Sequence, residues 1–177
     1  MRRYFHVDRA GTLQAGHQIA LVRYADIKPP ELQQHVDKIF HDGLSIHGEH
    51  YFLKNDIDAR ATSAYNELTF EWIRRGAFPD RPSRFASFFA TETIDDARKF
   101  RALFSKDATG NPIPAAIWEV KGKGGFRADM ALISGQQATI LPMSYLAHTY
   151  WSGTTPNPEP FWEVVLPLPI WVVRRIE

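Results

Sequence analysis

The chain has 177 residues, 44% of them hydrophobic, which suffices for one domain with its own core and is short for two. Its 21 Lys and Arg balance 20 Asp and Glu to a net charge of +1, so there is no global case for nucleic acid or an acidic membrane surface. The absence of cysteine excludes disulfides, thiolate metal sites and a cysteine nucleophile. The start, MRRYFHVDRAG, lacks the apolar run of a signal peptide, and no apolar run of about 18 residues occurs. The expectation is a soluble, cytoplasmic protein with no membrane partner.

In chain order, Tyr4 to Val7 reads as a short first strand with His6 near its end, and Asp8 to Gly11 turns the chain. Ile19 to Val22 is a second extended piece. Pro29 and Pro30 open an amphipathic helix with Leu32, Val36, Ile39 and Phe40 on one face and Gly43 at its C-terminal cap. A polar stretch to Arg60 follows without a pattern, and then Tyr65, Leu68 and Trp72 mark a second helix closed by Arg74, Arg75 and Gly76. These helices form an insertion at about 26–80.

Arg81 to Phe104 is the stretch around which the rest is organised. Phe85 to Ala90 is apolar on both faces and reads as a buried strand. Thr93 stands three residues before Asp96 in capping-box spacing, and Ala97, Phe100 and Phe104 recur at helical spacing. Free N–H groups at that helix start can meet an anionic ligand, although most strand–helix units are only packed core. Beyond it, SKDATGNPIP is loop, Ala116 to Val120 a strand, and KGKGG a turn into FRADMALI. Thr139 to Leu141 reads as a short strand, Pro142 to Tyr150 as a short helix and GTTPNPEP as a long loop. Phe161 to Leu166 and Ile170 to Ile176 are strands that Pro167 and Pro169 split or bend. Helices early and short strands late give an α+β fold, one domain over 1–177.

Three stretches taken together, YFHVDRAGTLQAG, FFATETIDDA and IWEVKGKGGFRADMAL, resemble the ADP-ribosyltransferase superfamily and most closely the small rifamycin ADP-ribosyltransferases. Those enzymes carry, in this order, a strand ending Tyr-x-His-Gly-Thr followed by Leu-x-x-Gly, a Val-Tyr-Ile-Thr-x-Thr-Leu-Asp-Ala-Ala segment, and an Ile-Tyr-x-Val-Glu strand leading to an Asp-Asp turn. The resemblance implies two small, mostly antiparallel sheets around an NAD cleft with flanking helices. It also implies NAD as co-substrate, no metal, and transfer of ADP-ribose to an acceptor with release of nicotinamide.

Residue by residue, His6 matches the histidine that holds the nicotinamide ribose, where an imidazole can donate to a hydroxyl without adding a full charge. Val7 and Asp8 stand where the family has Gly-Thr, and Leu13 and Gly16 match its Leu-x-x-Gly. Phe89 falls on the tyrosine that stacks on nicotinamide, with Thr91 in the threonine position that follows. Phe88 takes the stacking place instead if the register resembles the poly-ADP-ribose polymerases, and strand alternation lets only one of the two face the site. Asp129 falls on the catalytic aspartate, whose charge would stabilise an oxocarbenium-like transition state. Glu163 competes with it, because WEVVLPLP resembles the segment carrying the catalytic glutamate of arginine-directed ADP-ribosyltransferases; Asp129 is preferred because two neighbouring blocks support it.

His41, His47, Glu49 and His50 lack the one-turn spacing of a helical zinc motif. Arg74, Arg75, Arg81 and Arg84 can meet the NAD pyrophosphate or a nucleic-acid target, or simply end a solvated helix. The acceptor, a small molecule, protein or nucleic acid, is invisible in the sequence, and the segment at about 43–82 is the expected place for its recognition. The departures at Val7, Asp8 and the missing tyrosine hydroxyl also fit a catalytically silent domain that binds a nucleotide or partner. A toxin or effector enzyme with a macromolecular acceptor is the third reading.

Overall fold

The computed structural model describes residues 1–54, 62–106, 109–134 and 139–177. Its strands build two small antiparallel sheets. In the first, β1 (Arg2–Asp8), β4 (Ala116–Gly122), β7 (Ile170–Arg175) and β2 (Gln18–Ile19) lie in the order β1-β4-β7-β2. In the second, β3 (Ser87–Ala90), β6 (Trp162–Pro167) and β5 (Phe126–Asp129) lie in the order β3-β6-β5. Pro167 and Pro169 do split the C-terminal extended run, and the two pieces join different sheets, β6 the second and β7 the first.

The α-helices among the described residues are α1 (Pro30–Ile39), α2 (Ile46–Gly48), α3 (Thr62–Ala77), α4 (Ile94–Phe104), α5 (Ala131–Ser134) and α6 (Ile140–Ser152). A π-helical turn, Glu49–Leu53, continues α2, and a single 3-10 turn, Arg84–Ala86, precedes β3. The expected strand from Phe85 is therefore shorter by its first two residues. Ser83 accepts the Phe85 N–H and Ser87 donates to the Ser83 carbonyl, which favours a turn there over an extended start.

Each sheet face has its own packing partner. Tyr4, Val120, Ile170 and Val172 of the first sheet meet Ala90, Val164 and Leu166 of the second in a buried inter-sheet core. The opposite face of the second sheet, with Val165, Phe126 and Ala128, packs on Phe70 of α3 and on Met143, Ala147, Tyr150 and Trp151 of α6. Helix α4 covers Val7 and Ile117 with Ala97 and Phe100, as its helical spacing predicts.

Two further expectations are corrected. Thr139 to Leu141 is not a strand, because α6 begins at Ile140 and Pro142 sits in its first turn, where its missing N–H costs nothing. In α3, Tyr65 and Trp72 lie on the outer face, while Glu67, Phe70, Glu71 and Arg74 are buried. The helix is where the pattern puts it, but it turns a largely charged face inward, because those charges are paired. The part of the patternless stretch at 55–61 lies outside the described residues, as do residues 107–108 of the loop after α4.

Candidate functional site

The two sheets touch through one backbone rung: the Phe5 N–H donates to the Thr91 carbonyl at 2.9 Å and the Thr91 N–H to the Phe5 carbonyl at 2.8 Å. Backbone polar groups alternate between the two edges of a strand, so Phe5 and Val7 direct theirs towards β3 while Tyr4, His6 and Asp8 bond to β4. Val7 and Phe89 would form the next rung. Instead His6 Nδ1 lies 2.7 Å from the Phe89 carbonyl oxygen and takes that acceptor. The β1–β3 ladder ends at this rung, and the Val7 N–H and C=O lie on the β1 edge that faces β3 without a backbone partner there.

This geometry fixes the chemistry of His6. A carbonyl only accepts, so Nδ1 carries the proton and Nε2 is left with its lone pair. Burial lowers the pKa of His6 below its ordinary 6.5, outweighing the Phe89 carbonyl and Asp8, which favour the charged form. A neutral imidazole in this tautomer can accept a hydrogen bond from a hydroxyl at Nε2, whereas the sequence pointed to an imidazole that donates to a ribose hydroxyl.

Val7 in place of glycine does not close the edge. Its side chain is buried beneath α4, perpendicular to the backbone groups that face the opening. Asp8 is also buried, and its two carboxylate oxygens accept the N–H groups of Gly11 and Leu13 at 2.8 Å each, so it shapes the turn after β1.

Strand alternation separates the remaining candidates. Directly paired residues of neighbouring strands share a face, and Phe88 pairs with Leu166 while Asp129 pairs with Trp162, which puts both on the inter-sheet face with His6. The His6 and Phe88 rings lie 4.3 Å apart. Phe89 pairs with Val165, and Glu163 with Ala128, so these two point to the helical side. Phe88 is thus the ring beside His6, and Phe89 lies on the other face of the sheet.

Thr91, Gly16 and the α4 N-terminus have structural duties. The Thr91 hydroxyl lies within hydrogen-bond reach of the Phe5 and Thr93 carbonyls and fastens the rung. Gly16 has a left-handed φ of 82° and donates its N–H to the Val172 carbonyl, at the β2–β7 edge of the first sheet, away from β1. At α4, the Thr93 hydroxyl oxygen accepts the Asp96 N–H, and Asp95 and Asp96 occupy the first turn, so this helix start opposes an anion where the sequence suggested one.

Both acids are engaged. Asp129 is fully buried: one oxygen accepts the N–H groups of Ala131 and Phe161 at 3.0 and 2.9 Å, and the other accepts from the Thr155 hydroxyl at 2.6 Å and the Asn157 amide. It is the hub that fastens the loop 153–161 to β5. Glu163 accepts from Arg84 at 2.6 Å and from the Tyr150 hydroxyl at 2.8 Å.

Arg84 is the buried centre of a second network. It makes a two-pronged pair with Glu67 at 2.8 and 2.9 Å, and its guanidinium lies 4.5 Å from the Phe89 ring centroid. Burial opposes its charge, but Glu163 and Glu67 together raise its pKa well above the usual value. Burial likewise opposes the Glu67 carboxylate, and Arg84 and His47 overcome that and hold its pKa far below the ordinary 4.5. His47 Nε2 stands 3.1 Å from Glu67, at an angle too poor for a hydrogen bond, and its ring lies 4.7 Å from that of Phe89.

The other expected anion-binding arginines are also committed. Arg74 and Arg75 pair with Glu71, and Arg81 lies over the Phe126 ring at 4.4 Å. An exposed cation does stand on the His6 face of the second sheet: Arg127, 3.9 Å from the Trp162 ring centroid and 3.5 Å from Glu92. Among the described residues no group of three or more His, Asp or Glu could hold a metal ion. A surface depression of about 430 Å³ lined by Tyr24, Gln33, Asp37 and His41 contains none of the residues above. No helix of the described residues is long and apolar enough to cross a membrane.

The sequence reading missed the Arg84 network. Its signal was present: Glu67, Glu71 and Arg74 recur at helical spacing opposite Tyr65 and Trp72, and Arg84 directly precedes an apolar run. Residues 4–177 match a family described as Protein of unknown function (DUF2441). No curated protein matches the chain.

Proposed function

The chain belongs to the DUF2441 family, and for this member we propose an NAD-dependent ADP-ribosyltransferase whose nicotinamide pocket is the opening between β1 and β3. The observation that carries the reading is the parted rung. The Val7 N–H and C=O face it as a donor–acceptor pair, beside an imidazole with a fixed tautomer and the ring of Phe88.

A primary carboxamide is complementary to that backbone pair, its C=O accepting the Val7 N–H and its NH2 donating to the Val7 C=O. The pyridinium ring stacks on Phe88, and a ribose hydroxyl donates to His6 Nε2. In the reaction the C1′–N bond breaks and nicotinamide leaves with the electron pair, which neutralises its ring. An acceptor oxygen or nitrogen then bonds to C1′ and loses its proton. Asp129 suits stabilisation of the ribosyl cation better than Glu163, since it shares the face of Phe88 and His6. To reach the cation it must exchange its bonds to Thr155 and Asn157 for the substrate.

The acceptor is a small molecule, protein or nucleic acid. Segment 43–82 is assigned to its recognition, and it exposes the apolar side chains of Ile46, Tyr65 and Trp72. A second reading, a silent nucleotide-binding domain, is favoured by one observation: both candidate acids are buried and already engaged, Asp129 accepting hydrogen bonds on both oxygens and Glu163 accepting two on Oε1. Incubation with NAD separates the two. The transferase releases nicotinamide, and a His6→Ala variant releases far less. NAD binding by calorimetry without nicotinamide release supports the silent domain, and failure to bind NAD removes both readings.

A further inference from the structure

We propose that Arg84 is a positioning residue for His6, acting through Phe89. As a statement about turnover this rests on the transferase reading; as a statement about His6 it stands alone.

His6 keeps Nδ1 protonated because the Phe89 carbonyl lies 2.7 Å away, so the position of β3 at Phe89 decides which nitrogen of His6 faces a ligand. The Phe89 side chain leaves the opposite face of the sheet, where it packs between Arg84 and His47. Arg84 lies 4.5 Å from its centroid and the His47 ring 4.7 Å. Arg84 is itself held from three elements: Glu67 of α3, Glu163 of β6 and the Tyr150 hydroxyl of α6.

Stability alone does not account for this arrangement. Buried ion triads are about neutral in stability against apolar groups of similar volume, because desolvation offsets the attraction. A fixed guanidinium under one aromatic ring does have a geometric effect. It sets the height and register of β3 at the residue whose carbonyl orients His6. If β3 moves there, the carbonyl leaves Nδ1, the imidazole is free to exchange tautomers, and in the Nε2–H tautomer that nitrogen donates and can no longer accept a hydrogen bond from a hydroxyl. Glu163, which resembles a catalytic glutamate in sequence, takes part through Arg84 and does not reach the opening. A neighbouring ion cluster supplies a control: Glu71 with Arg74 and Arg75 fastens the end of α3 to residues 79–83, and none of these hydrogen bonds reaches Phe89.

The experiment is 15N NMR of the histidine side chains in the full chain, with nicotinamide release measured in parallel. The wild type should show His6 as a single Nδ1–H tautomer. The variant Glu67→Gln, Arg84→Met, Glu163→Gln removes the three charges of the triad together, so that no member of it is left buried without its partners. It should remain folded, show a mixture of tautomers at His6, and lose roughly 10- to 100-fold in kcat with KM for NAD changed less than about threefold. Glu71→Gln with Arg74→Met should leave the His6 tautomer as in the wild type even where it lowers the melting temperature. Should the charge variant fail to fold, Phe89→Leu tests the same link from the other side and should give the same mixture. A folded charge variant or Phe89→Leu that keeps a single Nδ1–H tautomer overturns the proposal. A tautomer that responds in a protein releasing no nicotinamide upholds the Arg84–His6 link and removes only the transferase reading.

Discussion

Asp129→Asn should destabilise the protein before it says anything about catalysis. The Asp129 carboxylate receives four hydrogen bonds, from the Ala131 and Phe161 N–H groups on one oxygen and from Thr155 and Asn157 on the other. Bonds to a charged acceptor contribute about 1.5–3 kcal/mol each and neutral ones about 0.5–1.5, so neutralising the group weakens each by about 1 kcal/mol. The amide nitrogen of the variant must also face the Asn157 amide, which has to turn its own oxygen inward. The total is about 4 kcal/mol, which for a domain of this size lowers Tm by roughly 8–16 °C. Urea unfolding and a thermal scan measure it directly, and NMR of Thr155 and Asn157 should show the loop 153–161 released. A variant within about 1 kcal/mol of wild type would refute the role of Asp129 as the loop's hub. Its NAD-cleaving activity therefore has to be measured well below its own unfolding temperature, where a rate loss of about 100-fold or more would mark a catalytic carboxylate.

His6→Ala should weaken NAD binding by about 1–3 kcal/mol without unfolding the chain, and unchanged affinity by calorimetry would remove His6 from the site. Phe88→Tyr should be tolerated, since the ring is half-buried at the opening. Phe89→Tyr, which sets a hydroxyl among Arg84, His47 and the buried face of α3, should lower stability, and the opposite order would return the stacking ring to Phe89. Stability should fall towards acid in two stages. His6 has its folded pKa below the unfolded 6.5, so its contribution is complete above 6.5 and declines as pH drops below it. Glu67 has its folded pKa far below the ordinary 4.5, so its contribution is present above that value and is lost progressively beneath it. Urea midpoints unchanged from pH 7 to about 3 would contradict both assignments.

Local chemistry made much of the fold legible. The prolines that open α1, the Thr93 cap of α4 and the turn residues flanking β4 act within a few residues of themselves, so they read the same in the chain and in the structure. What hydrophobic periodicity cannot see is a charge that becomes buried because its partner lies far along the chain. Glu67 meets Arg84 and Arg84 meets Glu163, and nothing at any one position announces the pairing. The same limit applies to Ile140 and Leu141, whose strand-like composition yields to a helix that buries Met143, Ala147 and Tyr150.

At the site, His6 and the pair of phenylalanines were legible as residues, and their roles were not. Which ring faces His6 follows from the β3–β6 register, and which nitrogen of His6 is free follows from a carbonyl 83 residues away. The opening itself belongs to no residue type. It exists because the β1–β3 ladder stops after one rung.

The most direct test of the central claim is a crystal structure with nicotinamide or NAD bound. The carboxamide should lie on the Val7 N–H and C=O, the pyridine ring against Phe88, and in the NAD complex a ribose hydroxyl on His6 Nε2. Nicotinamide found elsewhere, or an opening between β1 and β3 that stays empty at saturating ligand, would contradict it.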